Sequence, residues 1–146
     1  MWTIKSFQEL STSELYSILQ LRVNVFIVEQ SCPYPELDGY DADTLHLEYI
    51  ENDELLAYAR ILPPGIKYDR ASIGRVIVNG KARGKGLAKQ LMERSIANIE
   101  QRWPGEEIQL QAQTYLKEFY ASFGFKEVSP EYDEDGIPHV DMVKNQ

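Results

Sequence analysis

The feature that most constrains this chain is a β-branched run followed by a turn, two glycines and an amphipathic helix. Val76, Ile77 and Val78 lie near the end of a predicted strand from Ser72 to Asn79, and Asn79-Gly80 is a turn signal. The segment Arg83-Gly84-Lys85-Gly86-Leu87-Ala88 leads into a predicted helix, Leu87 to Arg102. The first N–H groups of a helix lack internal partners, and glycines let an anion come close to the backbone. The segment therefore predicts an anion-binding site.

Two common anion-binding motifs are excluded. A P-loop needs a second glycine, a lysine and a hydroxyl residue at fixed distances after Gly80, and they are missing. The dinucleotide fingerprint needs a third glycine where this chain has Lys89. A basic cluster of Lys81, Arg83, Lys85 and Lys89 surrounds the glycines. Taken alone, these glycines and basic residues would also suit a solvated surface loop with a tight turn.

The rest of the chain predicts one α/β domain. Ser11 and Glu14 form a capping box that starts a helix ending near Phe26, and Cys32 to Asp43 should be irregular. Further strands are predicted at the N-terminus, Thr44 to Ile50, Leu55 to Leu62, Glu107 to Gln113, Phe125 to Val128 and Ile137 to Val143. A short helix spans Tyr115 to Phe123, and an acidic loop spans Ser129 to Gly136. This order predicts a single mixed, largely antiparallel sheet of about six to seven strands flanked by helices.

Composition excludes several classes of function. The chain has 146 residues and a net charge of −8, which argues against binding nucleic acid. It has no apolar run of membrane-spanning length and no secretory signal pattern, so we expect no membrane partner and a cytoplasmic location. Cys32 is the only cysteine and is expected to be a packed or loop residue. His46 and His139 are the only histidines, so no metal site is expected.

The glycine segment resembles the Arg/Gln-x-x-Gly-x-Gly/Ala motif of the GNAT superfamily, the GCN5-related N-acetyltransferases. Phe119-Tyr120-Ala121-Ser122-Phe123-Gly124-Phe125 is similar to a later helix of that family, at a normal distance along the chain. Nearly the whole chain resembles the small bacterial ElaA-type branch. The segments that carry this likeness are Arg22 to Gln30, Cys32-Pro33-Tyr34, Asp38 to Asp41 and Gly136 to His139.

The resemblance implies a GNAT fold with a splayed central strand pair that binds acyl-CoA, and an N-acetyltransferase with acetyl-CoA as co-substrate. The pyrophosphate would lie on Arg83, Gly84, Lys85, Gly86, Leu87 and Ala88. The pantetheine arm would pair with the strand at Val76, Ile77 and Val78, and a backbone N–H near Val78 would hold the thioester oxygen. Tyr120 would be the general acid.

The acceptor site is defined less sharply. Glu29 and His139 are expected in the acceptor pocket as candidate bases, beside Asp38, Asp41 and His46. Arg22, Phe26 and Tyr34 are expected to shape the pocket, with His46 as a further substrate-binding residue. The acidic segments would suit a cationic amine, and equally a solvated loop. A small amine or a peptide is the expected acceptor, and the C-terminal strands would permit a homodimer. The alternatives are a CoA-binding sensor or interaction module with little catalysis, and an acyl donor longer than acetyl.

Overall fold

The computed structural model describes residues 1–146, which form eight strands and three α-helices. The strands are β1 Trp2–Ser6, β2 Leu45–Glu51, β3 Glu54–Leu62, β4 Ala71–Val78, β5 Ile108–Gln113, β6 Lys126–Glu127, β7 Tyr132–Glu134 and β8 Ile137–Lys144. The helices are α1 Thr12–Arg22, α2 Leu87–Arg102 and α3 Lys117–Ala121. None of the helices is long and apolar enough to span a membrane.

All eight strands belong to one sheet in the order β1-β2-β3-β4-β5-β8-β6, and β7 pairs with β8. Every neighbouring pair is antiparallel except β4 and β5, which are parallel. The predicted single, largely antiparallel sheet is therefore confirmed. The acidic loop contains one strand more than predicted, because Tyr132–Glu134 forms a hairpin with the start of β8.

The two long helices lie on opposite faces of the sheet. Ala57, Ala59 and Ile61 of β3 pack in the main core with the apolar face of α2. Tyr58, between them on β3, packs instead with Ile18 of α1 and with Ile77. Since successive strand residues point to opposite faces, this alternation places α1 and α2 on either side of β3.

The helix that begins with α1 runs further than predicted and changes its geometry. Ser11 caps α1 by accepting a hydrogen bond from the Glu14 N–H, as the capping box predicts. After Arg22 the chain continues as a π-helix, Val23–Glu29, instead of ending near Phe26. Such wide turns commonly mark functional sites, and this one borders the cavity described below.

Candidate functional site

The central strands β4 and β5 part soon after they meet. Only two residue pairs join them, Ala71 with Ile108 and Ser72 with Gln109. Beyond that point β4 stays paired with β3, and β5 with β8. The edges that face each other are therefore free, and they line a cavity of about 830 Å³ that both strands share.

A β-bulge shapes the β4 side of this gap. Gly74 lies opposite Arg60, and Ile77 lies opposite Tyr58, so Arg75 and Val76 together face the single residue Ala59. Arg75 has a φ of 51°, a conformation that costs a non-glycine residue free energy. A bulge interrupts the ladder and leaves backbone groups without a partner strand. The bulge therefore lies in the part of β4 that has already lost β5 as a partner.

The glycine segment forms an open cradle at the start of α2. Gly84 and Gly86 have φ values of 83° and 78°, and a Cβ at either position would meet no atom within 4 Å. Gly86 is the N-cap of α2 and offers no side chain to the helix N-terminus. The first backbone hydrogen bond of the helix runs from the Gln90 N–H to the Gly86 oxygen. The N–H groups of Leu87, Ala88 and Lys89 thus precede any internal acceptor, as an anion site requires.

The basic cluster beside the cradle is only partly free. Nη1 and Nη2 of Arg83 donate to the Glu29 carboxylate, at 2.9 and 2.7 Å, and Nε donates to the Val78 oxygen at 3.2 Å. Lys81 forms an ion pair with Glu54. Lys85 and Lys89 are exposed and form no ion pair. Arg83 therefore links the cradle to the end of the π-helix.

Tyr120 lies in the wall of the cavity on α3. It is 8% exposed, and the rings of Phe119 and Phe125 contact its ring edge-on at centroid distances of 5.2 and 6.4 Å. Burial, with a smaller effect from Tyr115, raises the pKa of Tyr120 to about 12. The phenol is thus held in one place and stays protonated at neutral pH.

Five of the predicted acceptor-site residues line the same cavity: Phe26, Glu29, Tyr34, Asp38 and His139. The Arg83 guanidinium lowers the pKa of Glu29 because it binds the ionised carboxylate. Whereas a charged side chain binds Glu29, the partner of His139 is a backbone oxygen: its Nδ1 lies 2.7 Å from the Ile137 oxygen. A carbonyl only accepts hydrogen bonds, so Nδ1 carries a proton, and in the neutral form of the ring the lone pair is on Nε2. The His139 ring also stacks on Tyr132.

Arg22 and His46 were predicted to bind substrate, and for direct contact this prediction is wrong. Both are fully buried, and neither lines the cavity. Arg22 donates to Asp41 at 2.7 Å and to Glu36 at 3.3 Å. His46 donates from Nε2 to the Asp41 backbone oxygen at 3.0 Å, and its Nδ1 accepts from Tyr58 Oη at 2.7 Å. Burial lowers the pKa of His46, so the ring is neutral and holds the loop after α1 in place.

The acidic segment between α1 and β2 is part of a buried ion-pair network. Asp38 accepts two hydrogen bonds from Arg60, at 2.7 and 2.8 Å, and Asp41 accepts one from Arg60 at 3.0 Å. Glu36 accepts from Arg75 at 2.8 Å. The carboxylates of Glu36, Asp38 and Asp41 are therefore already paired with guanidinium groups, although Asp38 remains partly exposed in the cavity wall. Burial opposes ionisation of Asp38, but the guanidinium of Arg60 outweighs it and holds the pKa of that carboxyl far below its usual value.

Sequence reasoning missed several residues of the cavity wall, including Arg60, Lys67, Arg75 and Gln111. Arg60 carries a usable signal, since a lone arginine between Ala59 and Ile61 in a buried strand must have a charged partner. Lys67 and Gln111 carry no such signal. They come from separate parts of the chain and meet only in the fold.

Comparisons with known proteins agree with this architecture. Residues 16–146 match the model of the acetyltransferase (GNAT) domain family. The chain is 46% identical to protein ElaA of Escherichia coli over 145 residues, which cover 98% of this chain and 95% of that protein. It is similar to the crystal structure of an acyl-CoA N-acyltransferase from Pseudomonas aeruginosa, with a TM-score of 0.95, 44% identity and 99% and 98% of the two chains covered. The crystal structure of E. coli ElaA matches with a TM-score of 0.93, 44% identity and the same coverage. With its parted central strands and its glycine cradle, this chain belongs to the ElaA-like branch of the GNAT acetyltransferase family.

Proposed function

We propose that this protein transfers an acetyl group directly from acetyl-CoA to a primary amine, with Tyr120 as the general acid. The observation that carries the proposal is the parting of β4 and β5 around one cavity, whose wall includes Tyr120 and, from the glycine segment, Arg83. A cavity between two free strand edges suits an extended amide chain, and the cradle suits the phosphates at its end.

The residues present fit acyl-CoA. Gly84, Lys85, Gly86, Leu87 and Ala88 would hold the pyrophosphate through backbone N–H groups, with Arg83 and Lys85 adding charge. The free edge of β4 at Val76, Ile77 and Val78 would pair with the pantetheine amides. When bound, the donor supplies an acetyl group activated as a thioester.

The bulge in β4 supports a role in stabilising charge. Transfer to an amine builds negative charge on the acyl oxygen, and a fixed backbone N–H at that point lowers the barrier. The sequence suggested an N–H near Val78. The bulge at Arg75 and Val76 lies on the same strand, beyond the last residue that pairs with β5, and its N–H groups are further candidates for this contact.

Proton transfers divide between two sides of the cavity. Tyr120, with its raised pKa, is protonated at neutral pH and can deliver a proton to the leaving thiolate sulfur. His139 Nε2 can take a proton from the ammonium form of the acceptor, directly or through water, and the neutral amine that results then attacks the thioester carbon. Glu29 is less suited to this task while Arg83 occupies both of its oxygens.

The proposal is tested by a thermal-shift titration with acetyl-CoA and an acceptor screen that detects the released thiol. We expect acetyl-CoA to raise the Tm, several amines to be turned over, and Tyr120→Phe to lower kcat by about 10²-fold or more while the Kd of acetyl-CoA stays nearly constant. Unchanged turnover in Tyr120→Phe across good acceptors would remove Tyr120 from its role. Firm CoA binding without turnover of amines, peptides or polyamines would favour a CoA-binding module.

A further inference from the structure

The cavity wall contains four cationic side chains, and one of them lacks a carboxylate partner. Arg60, Arg75 and Arg83 each form an ion pair at 2.9 Å or less with a carboxylate. Lys67 forms none, and its Nζ donates to the side-chain oxygen of Gln111 at 3.2 Å. A half-buried ammonium whose acceptor is a neutral amide is poorly compensated for its lost hydration.

Two aromatic rings and charged groups of both signs surround the Nζ of Lys67. The rings of Tyr68 and Tyr40 lie 5.4 and 5.9 Å from it, which favours a cation without neutralising it. Arg60 and Arg75 repel it, and Asp38 and Glu134 attract it from beyond ion-pair distance. Asp38 is already bound by both arginines. Burial and the two guanidinium groups accordingly lower the pKa of Lys67.

Lys67 is also placed at the gap between the central strands. It lies in the loop between β3 and β4, and its partner Gln111 is on β5, two residues beyond the last residue paired with β4. The Lys67–Gln111 hydrogen bond therefore reaches from this loop to the free part of β5. Tyr120 and His139 line the same cavity.

From this arrangement we infer that Lys67 binds a carboxylate of the acceptor, so that the acceptor is an amine that also carries a carboxylate, such as an amino acid. The inference rests on the proposed function. A single unpaired ammonium matches a monoanion, since the neighbouring Arg60 and Arg75 are already paired. Gln111 and the two tyrosine rings hold Nζ in place for that contact.

The test measures binding separately from turnover. Thermal shifts are recorded at saturating CoA for a panel of free amino acids, each beside its own carboxamide. The variants are Lys67→Met, which removes the charge at similar length, and Lys67→Arg, which keeps a charge. Lys126→Met is the matched control, because Lys126 is exposed on β6 and lies outside the cavity. In parallel, kcat and KM are measured for every pair that is turned over.

We expect members with a carboxylate to stabilise the wild-type protein and their carboxamides not to. Loss of the charged hydrogen bond in Lys67→Met should raise the Kd of the free amino acids by about tenfold or more. Where an amino acid is turned over, its KM should rise by the same factor while kcat changes little. Lys67→Arg should retain part of the preference for a carboxylate over a carboxamide, and Lys126→Met should retain all of it. The inference is overturned if the panel shows no preference, if Lys67→Met keeps it, or if intact mass shows that Lys67 itself becomes acetylated. Absence of turnover with the shifts intact would count against the proposed function alone.

Discussion

At the scale of single residues, hydrogen bonding separates the two candidate bases. Glu29 and His139 were predicted on equal terms from the sequence, and both line the cavity. Arg83 binds both oxygens of Glu29, whereas the Ile137 oxygen fixes His139 in the tautomer that leaves Nε2 free. The partners of each side chain thus favour His139 over Glu29 as the base of the proposed mechanism.

We expect His139→Asn to lower turnover by about 10²-fold, the lower end of general base effects. Asparagine can still donate to the Ile137 oxygen, so the strand should be undisturbed.

Glu29→Gln should leave kcat nearly unchanged and tighten CoA binding by up to about fivefold, since an exposed ion pair is worth at most about 1 kcal/mol and Arg83 would be released toward the cradle. Steady-state kinetics and a CoA titration check both variants. Equal losses of kcat in the two would contradict the distinction.

Glu48 gives a second prediction at this scale. It is buried on β2, and its Oε1 has no hydrogen-bond partner. Burial, with a smaller contribution from Glu14, raises the pKa of Glu48 from 4.5 to about 7. The folded state thus binds the Glu48 proton more tightly than the unfolded state does. The resulting contribution of Glu48 to the free energy of unfolding is largest below pH 4.5 and is lost as the pH rises to 7. The full loss is at most about 3 kcal/mol.

Glu48→Gln should therefore raise the free energy of unfolding at pH 8 and change it little at pH 4. Urea unfolding of both proteins at the two pH values measures the difference. Glu51→Gln is a control on the same strand, because Glu51 is exposed. A wild-type protein whose stability relative to Glu48→Gln did not fall between pH 4.5 and 7 would contradict the raised pKa.

At the scale of elements, the cradle and the helix behind it were the most predictable part. The bounds Leu87 and Arg102 of α2 are confirmed, because its apolar stripe is regular and Gly86 and Pro104 delimit it. The π-helix was missed because its wider turns do not follow the spacing of an α-helix. This wider geometry brings Val25, Phe26 and Glu29 to the cavity. The strand β7 was missed because three residues in an acidic loop show no alternation.

Gly86→Ala tests the cradle as an element. Gly105 is a matched control, since both glycines have φ near 80° and a Cβ at either would meet no atom within 4 Å. Each alanine should therefore cost about 1–2 kcal/mol of stability. Only Gly86→Ala should weaken CoA binding, by about tenfold or more, because its methyl group would lie where the anion approaches the helix N-terminus. Calorimetric titration with CoA checks this, and equal CoA affinity in the two variants would show that the cradle does not hold the phosphates.

At the scale of the whole molecule, the ion-pair network joins elements that are far apart along the chain. Arg22 ends α1, Arg60 is in β3, Arg75 is at the bulge of β4, and their carboxylates come from the irregular segment after the π-helix. Charge pairing between distant segments leaves no periodic pattern in a sequence. The sheet and the glycine cradle do leave local patterns, and they were predicted. The network does not, so Arg22 was predicted to bind substrate, and Glu36 and Asp38 were predicted to face solvent or an amine.

Asp41→Asn tests how much the fold depends on this network. Asp41 accepts hydrogen bonds from both Arg22 and Arg60, which are nearly inaccessible to solvent. The variant would therefore remove a negative charge that both buried guanidinium groups share. Removing one partner of a buried ion pair costs about 3–5 kcal/mol, and we expect a loss of that order in urea unfolding. Glu54→Gln, which breaks the exposed pair with Lys81, should cost at most about 1 kcal/mol. Because the network fixes the loop that carries Tyr34 and Tyr40 into the cavity wall, Asp41→Asn should also raise the KM for the acceptor more than the Kd for CoA. Similar losses of stability in Asp41→Asn and Glu54→Gln would show that the network is not what holds this loop against the sheet.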